Sequence, residues 1–321
     1  MPVGKERVTE VIDYAMAHGD SRASEVYGLP ISTLERYRRK YKEIYGEGAD
    51  ILLALKKRFT DTELKAMLSS SRIKPHEGKP ISISENCEIL RIGVLSDTHI
   101  GHKEFKQEYL YTAFDTMDAR GCSMILHSGD VTEGLMNRPG HYYECDQYGY
   151  KAQRDEAIRV LSYWKKPIYV SSGNHDNSAN SKLGAGIDIV EDICDKIPNA
   201  HYLPGDPANI TANGIRFRLF HGRDRGGAYA KSYRPQKILD SFGTDIPEVL
   251  VVGHAHDADF CKYKGCYIID AGSIQRETDF MRGNKLSADV GFWVVELHIQ
   301  NGRIIACSPT WYDLEEIYNG E

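Results

Sequence analysis

The sequence predicts an α/β protein, built as sheet layers with helices outside and preceded by a small all-α block. Three observations predict it. Strand-like apolar runs alternate with amphipathic helical stretches from Cys87 to about His201, and strands dominate afterwards. Five of those strands run straight into short polar clusters. Residues up to about Gly46 space their apolar side chains for helices, not strands.

The N-terminal block reads as three helices. Val8, Val11, Ile12, Ala15 and Met16 share one helix face, and His18-Gly19-Asp20 ends that helix. A short second helix spans residues 22–27, and Gly28-Leu29-Pro30 is a tight turn. Ser32 with Glu35 is a capping box that opens the third helix. Its apolar face is Leu34, Tyr37, Tyr41 and Ile44, and its other faces carry Arg36, Arg38, Arg39, Lys40 and Lys42. From Glu47 to about Asn86 the pattern weakens. Ile51, Leu52 and Leu55 suggest one helix, Thr60 with Glu63 opens another, and residues 74–80 read as a linker. The expected division is a helical domain (1–46), a helical arm and linker (47–86) and the α/β domain (87–321).

Within the α/β part, residues 89–95, 123–126, 167–170, 215–220, 248–252, 260–263 and 266–269 read as strands. A hairpin at 292–299 and 303–307 turns at Asn301-Gly302. Helix faces lie at Phe105 to Met117, Ile158 to Trp164 and Ile187 to Ile197.

Composition narrows the function classes. The chain has 321 residues, 41% hydrophobic and 27% charged, an ordinary globular balance. A net charge of −6 excludes a general polyanion binder, so nucleic-acid affinity must come from a local basic patch. Seven scattered cysteines point to reduced thiols in a cytoplasmic protein rather than a disulfide frame. No N-terminal signal pattern and no membrane-length apolar run is visible, so no membrane partner is expected. The sequence sets no oligomeric state.

The polar clusters carry the chemistry. They are Asp97-Thr98-His99, Gly129-Asp130, Gly173-Asn174-His175-Asp176, His221 and Gly253-His254-Ala255-His256. Each follows a strand, where ligands of open α/β sheets gather. Alone, an Asp after a strand is commonly a turn or helix cap, and a lone His is commonly a hydrogen-bonded core or surface residue. Jointly they offer carboxylate, amide and imidazole ligands enough for two divalent cations side by side, a standard device for attacking a phosphate ester with water. With no cysteine in the clusters, the set favours manganese, with iron or zinc as options, over a structural zinc site.

The series D-x-H, G-D-x-x-E, G-N-H-D, H-G and G-H-x-H, from Ile89 to about Ser273, resembles the calcineurin-like metallophosphoesterase superfamily. The resemblance implies two packed mixed β-sheets flanked by helices. It implies that Asp97, His99 and His256 hold one metal, that Asn174, His221 and His254 hold the other, and that Asp130 bridges them. His175 would face the substrate and protonate the leaving oxygen. The run Gly129 to Gly134 lacks the arginine that phosphoprotein phosphatases of the superfamily carry there, and Glu133 reads as a partner of a ligand rather than a ligand. Arg223 and Arg225 are a substitute phosphate grip or surface arginines. The loop after Asp130 carries Arg138, His141, Tyr142, Tyr143, Tyr148 and Tyr150, which either stack on a base or sugar or pack the loop onto the body.

Ser24, Gly28 and Leu34 fall at the small, turn and core positions of a helix-turn-helix, a resemblance to modules of phage and mobile-element proteins. The third helix would then place Thr33, Arg36 and Arg39 or Lys40 in a DNA major groove. The competing reading is a helical bundle for self-association. The function expected is a two-metal phosphodiesterase or nuclease acting on DNA. The alternatives are a cyclic-nucleotide or small phosphoester hydrolase and a DNA-binding regulator with an inactive phosphoesterase domain.

Overall fold

A computed structural model describes residues 5–45, 81–83, 88–134, 140–178, 188–223 and 230–319. The expected helices and linker of 47–80 lie outside the described residues, as do residues 135–139 with Arg138, and the side chains of Met16, Lys42 and Ile44. The chain divides into two compact units, Met1–Ile73 and Lys74–Glu321.

The first unit holds α1 (Lys5–His18), α2 (Asp20–Tyr27) and α3 (Ile31–Tyr45). Val8, Val11, Ile12, Ala15, Ala23, Leu34, Tyr37 and Tyr41 form its core, each helix contributing its apolar stripe. Gly28 takes the left-handed conformation that closes α2, with its N–H on the Ser24 carbonyl. Two details differ from expectation. The small residue that seats the helices is Ala23, fully buried, while Ser24 sits half-buried and donates to the Leu29 carbonyl at 2.6 Å. The third helix starts at Ile31, directly after Pro30, so Ser32 lies inside it rather than capping it.

The second unit is a pair of six-stranded sheets. One contains, in spatial order, β12 (Arg303–Asp313), β11 (Gly291–Gln300), β2 (Ile89–Leu95), β3 (Met124–His127), β4 (Ile168–Ser171) and β5 (Ala200–Leu203). The other contains β1 (Ile81–Ile83), β6 (Ala208–Ala212), β7 (Ile215–Phe220), β8 (Val249–Val252), β10 (Cys266–Ala271) and β9 (Ala258–Tyr263). Both sheets are mixed: β2 to β5 run parallel, β11 pairs antiparallel with β2 and β12, and β7, β8 and β10 run parallel beside antiparallel β6 and β9. Since β1 pairs with β6, this sheet begins N-terminal to the boundary expected at Cys87.

Burial follows from the alternation of side chains. Leu90, Ile92 and Val94 of β2 face the other sheet, meeting Phe217, Leu219, Val249 and Val251 in the central core. Leu95 faces the opposite way, onto a second core beneath α4 (Gln107–Ala119), α5 (Gly149–Leu161) and α6 (Ile189–Cys194). A strand buried on both faces therefore reads as a nearly continuous apolar run. On the far side, α7 (Tyr233–Ser241) places Ile238 and Leu239 against Leu250, Val252 and Ile268. Truncating Phe217 to alanine in the central core between the sheets would cost roughly 3–5 kcal/mol. Two short helices, α8 (Asp279–Gly283) and α9 (Leu314–Asn319), and a 3-10 turn at His141–Glu144 complete the described elements. Among the described residues no helix is long and apolar enough to cross a membrane.

Candidate metal centre

The parallel strands deliver the polar clusters to one place. Asp97 and His99 follow β2, Asp130 follows β3, Asn174 and His175 follow β4, His221 follows β7, and His254 and His256 follow β8. The first two turns are zipped together: Asp97 N–H donates to the Gly129 carbonyl at 3.0 Å and His99 N–H to the Asp130 carbonyl at 3.0 Å. Asp176 ties in the third turn. Its carboxylate accepts from the N–H groups of Val131 (3.0 Å), Thr132 (2.8 Å) and Gly173 (2.9 Å) and from the Thr132 hydroxyl (2.9 Å). It is a staple between turns, not a ligand.

Two glycines allow the close approach. A Cβ on Gly173 would lie 2.1 Å from Asp130 Oδ1, and one on Gly253 would lie 2.3 Å from Ser96 Oγ. The turns are also strained. Asp97, His99, Asp130, His254 and His256 all have positive φ, from +47° to +80°. Asp and His tolerate that region better than most residues, yet each such residue costs on the order of 1 kcal/mol or more.

Among the described residues candidate ligands converge in three groups; one is His99, Glu133 and His175, and two more gather carboxylate and imidazole from separate turns. In the first of these two, Asp97 Oδ1 lies 3.3 Å from His256 Nε2 and 3.7 Å from His99 Nε2, and the two Nε2 atoms are 3.2 Å apart. In the other, His221 Nε2 lies 3.0 Å from Asp130 Oδ2 and 3.1 Å from Asn174 Oδ1, with His254 in the same group. Asp130 Oδ2 is also 3.8 Å from His99 Nε2, which places it between these two. Ligands about 2.1 Å from one ion at ordinary angles lie roughly 3.0–3.5 Å apart, so this spacing fits a cation in each of the two. Asp97 Oδ1 is buried and accepts no hydrogen bond, an orphan that an ion would satisfy.

The far sides of the rings fix their tautomers. His221 Nδ1 donates to the Ser128 carbonyl at 2.9 Å, which turns a bare Nε2 toward two oxygen acceptors. Without a cation only a proton can reconcile the three. Burial opposes that proton, but the Asp130 and Asp97 carboxylates outweigh it and hold the His221 pKa up at about 9. His99 is raised likewise: burial opposes, and Glu133 prevails. Burial and the neighbouring His221 instead push His254 down to about 4.

Glu133 stands behind the site, as the sequence suggested. Its Oε2 is 2.6 Å from His99 Nδ1 and its Oε1 is 2.5 Å from His141 Nε2. His141 is thus buried against a carboxylate, which corrects its expected role: it faces the interior instead of presenting a ring to substrate. His175 keeps 22% of its side chain exposed, and its Nδ1 lies 2.8 Å from the Glu133 carbonyl. Burial opposes its proton, but Asp130 and Glu133 raise its pKa. Arg223 is exposed beside His221, and Arg225 lies outside the described residues.

Sequence reasoning missed two contributors. Arg234 at the start of α7 donates to the carbonyls of Gly253 (2.9 Å) and His221 (3.1 Å), clamping two ligand turns. His127, given no role, donates from Nε2 to Thr98 Oγ1 at 3.1 Å and accepts the Gly129 N–H at Nδ1, 3.2 Å away. Burial lowers its pKa to about 3, so it is a neutral strut. A G-D-x-x-E spacing announces Glu133; nothing in the sequence near Arg234 announces a clamp.

The chain belongs to the calcineurin-like phosphoesterase superfamily, whose domain it matches over residues 90–288. Among curated proteins it is 23% identical over 252 residues to the DNA polymerase II small subunit of Methanothermobacter thermautotrophicus, covering 64% of this chain and 52% of that one. It is 24% identical over 234 residues to the subunit of the same name from Archaeoglobus fulgidus, covering 59% and 47%. The chain therefore spans about half the length of these relatives. Solved structures similar to it include a novel archaeal phosphodiesterase (15% identity, TM-score 0.42, 70% of this chain and all, 100%, of that one). Another is zinc-complexed Vps29 from Entamoeba histolytica (14% identity, TM-score 0.35, 69% and 99%).

Proposed function

We propose that the protein is a dinuclear metal-dependent phosphodiesterase that cleaves DNA. One observation carries the reading: His221 Nε2 lies 3.0 Å from Asp130 Oδ2 and 3.1 Å from Asn174 Oδ1, a nitrogen and two oxygens that a cation in place of the proton would gather, beside the second group of Asp97, His99 and His256. Asp97, His99 and His256 would hold one cation, Asn174, His221 and His254 the other, and Asp130 both. Two divalent cations, when bound, supply a water of lowered pKa and neutralise phosphate charge. Oxygen and imidazole ligands without thiolate suit manganese, iron or zinc, with manganese favoured.

The chain's own residues do the rest. His175 Nε2 donates the proton that the leaving oxygen needs. Glu133 holds the His99 ring with Nε2 forward. Arg223 offers a guanidinium to the phosphate. Thr33, Arg36, Arg39 and Lys40 on α3 bring the enzyme to DNA; Arg36 and Arg39 are exposed there, while Arg38 is engaged by Asp20 at 2.5 and 2.7 Å. The relatives' name, a DNA polymerase small subunit, supports DNA as substrate over a small phosphoester. The same name favours a second reading, an accessory subunit whose phosphoesterase domain is idle.

The deciding experiment loads chelated full-length protein with Mn²⁺ and offers a DNA oligonucleotide, bis(p-nitrophenyl) phosphate and p-nitrophenyl phosphate. Cleavage of both diesters, with the monoester slower, is expected. Cation binding without hydrolysis of any ester would establish the accessory reading. Failure to bind any divalent cation would end the first. Arg36→Ala with Arg39→Ala should weaken DNA retention in a gel shift; unchanged retention would remove α3 from the interface.

A further inference from the structure

Next to the metal centre stands a surface feature that the mechanism does not use. Tyr142, Tyr143 and Tyr148 are 58%, 76% and 48% exposed, so three aromatic rings within seven residues face outward. They are grouped: Tyr142 stacks on Tyr148 with ring centroids 4.3 Å apart, and Tyr143 meets Tyr142 edge-on at 6.0 Å. The sequence left two options for this loop, stacking on a ligand or packing on the body. The exposures remove packing for these three rings.

We propose that the tyrosines are a stacking platform for unpaired bases of a nucleic-acid strand whose phosphodiester enters the metal centre. The inference rests on the phosphodiesterase reading and adds a substrate class, single-stranded or frayed DNA. The platform is continuous with the site. Tyr142 follows His141, whose Nε2 lies 2.5 Å from Glu133 and whose ring lies 6.4 Å from that of His175. The loop is pinned along its length to the turn that carries His99: Asp146 N–H donates to the Gly101 carbonyl at 2.8 Å, and Lys103 N–H to the Glu144 carbonyl at 2.9 Å. Gln153 closes the far end through the carbonyls of Gly134 (2.9 Å) and Gln147 (3.1 Å). The loop backbone that carries the rings is held in place before any ligand arrives, which lowers the entropy cost of binding.

The chemistry suits bases better than a protein. Every base has a π-face, and stacking on aromatic side chains is sequence-tolerant. Lys103 is exposed at the foot of the ridge, with its Nζ 2.6 Å from the Tyr143 carbonyl, and Lys106 lies beside it. These two cations can meet a phosphate backbone on the Lys103 side of the rings, while exposed Asp146 and half-buried Glu144 make the other side acidic. A protein interface would need a wider apolar surface, on the order of 1,000 Å² or more, and the large exposed apolar side chains between 140 and 149 are these three tyrosines alone.

The test uses the full chain in EDTA, where nothing is cleaved, and a single-stranded oligonucleotide containing 2-aminopurine, whose fluorescence is quenched by stacking. Wild type should quench it. Tyr142→Ala with Tyr148→Ala should abolish the quench and weaken binding roughly tenfold, whereas Tyr142→Phe with Tyr148→Phe should retain both. With Mn²⁺, the alanine pair should lose at least tenfold more turnover on the oligonucleotide than on bis(p-nitrophenyl) phosphate. A quench that survives the alanine pair, or is missing in wild type, overturns the platform and leaves the ridge to a protein partner. If wild type quenches but hydrolyses neither diester, the phosphodiesterase reading fails while the platform stands.

Discussion

The two halves of the proposed metal centre differ in what stands behind their imidazoles. His99 rests on Glu133, a carboxylate 2% exposed, at 2.6 Å. His221 rests on the backbone carbonyl of Ser128 at 2.9 Å. A buried carboxylate makes its imidazole a stronger donor than a neutral carbonyl does, and it adds negative charge close to the ion. The forward ligands repeat the contrast: Asp97 serves the first half, and the neutral amide of Asn174 serves the second. The Asp97 half should therefore hold its cation more tightly, and the Asn174 half should exchange its cation more readily. In that proposal only Asp130 belongs to both.

Breaking that shared member should have the largest effect. Asp130→Asn removes the one negative charge between two dications, so both halves should empty and diester hydrolysis should fall by about a thousandfold or more. Metal content by plasma mass spectrometry checks the first part. Retention of both ions would show that the halves do not depend on a common carboxylate. His175→Ala should leave both ions in place and slow turnover by roughly 10²–10⁴-fold, the usual worth of a positioned acid. A slow rate with lost metal would make His175 a ligand instead.

The sequence showed the five turns and the glycines beside them because ligand chemistry concentrates unusual residue types at strand ends. The strands that carry the turns were legible for the same reason as their burial: both faces are largely covered, so Ile89–Leu95 is apolar but for Arg91. Three strands were not read, Ile81–Ile83, Ala200–Leu203 and Ala208–Ala212. Each is three to five residues long, too short for a period to show, and the register that defines it comes from a distant partner. The same limit hid Arg234. Its function is to meet two carbonyls from other parts of the chain, and side-chain identity carries no record of that. Ser24 shows a subtler failure: a one-residue shift on a helix turns a side chain by about 100°, enough to exchange the buried place with Ala23.

Glu133→Gln sharpens the comparison directly. The amide keeps the size and one hydrogen bond but removes the charge behind His99. Affinity of the first cation should drop 10- to 100-fold, while the second, backed by Ser128, should change little. Titration calorimetry of chelated protein resolves the two events. Equal losses at both would mean that Glu133 acts through the field of the whole site and not through the His99 ring.

Acidity gives the mildest prediction, and its sign follows from the pKa directions. In the metal-free protein His221 titrates at about 9 and His99 is raised well above the usual histidine value, so both carry protons near neutrality. The carboxylates of Asp97 and Asp130 are held low, Asp97 by the facing His256 and Asp130 by the facing His221 against the effect of burial, and they release nothing over this range. A cation must displace the imidazole protons, so affinity should rise with pH, about tenfold per unit for each proton released, and level off above about 9. Stability of the metal-free form should move the other way. A histidine whose folded pKa is raised stabilises fully below its unfolded value near 6.5 and loses that contribution as pH climbs through the folded value. Melting curves between pH 6.5 and 9 should therefore fall for chelated protein and rise for protein in limiting Mn²⁺. Parallel curves would show that the imidazoles of the two halves are already unprotonated before any ion arrives.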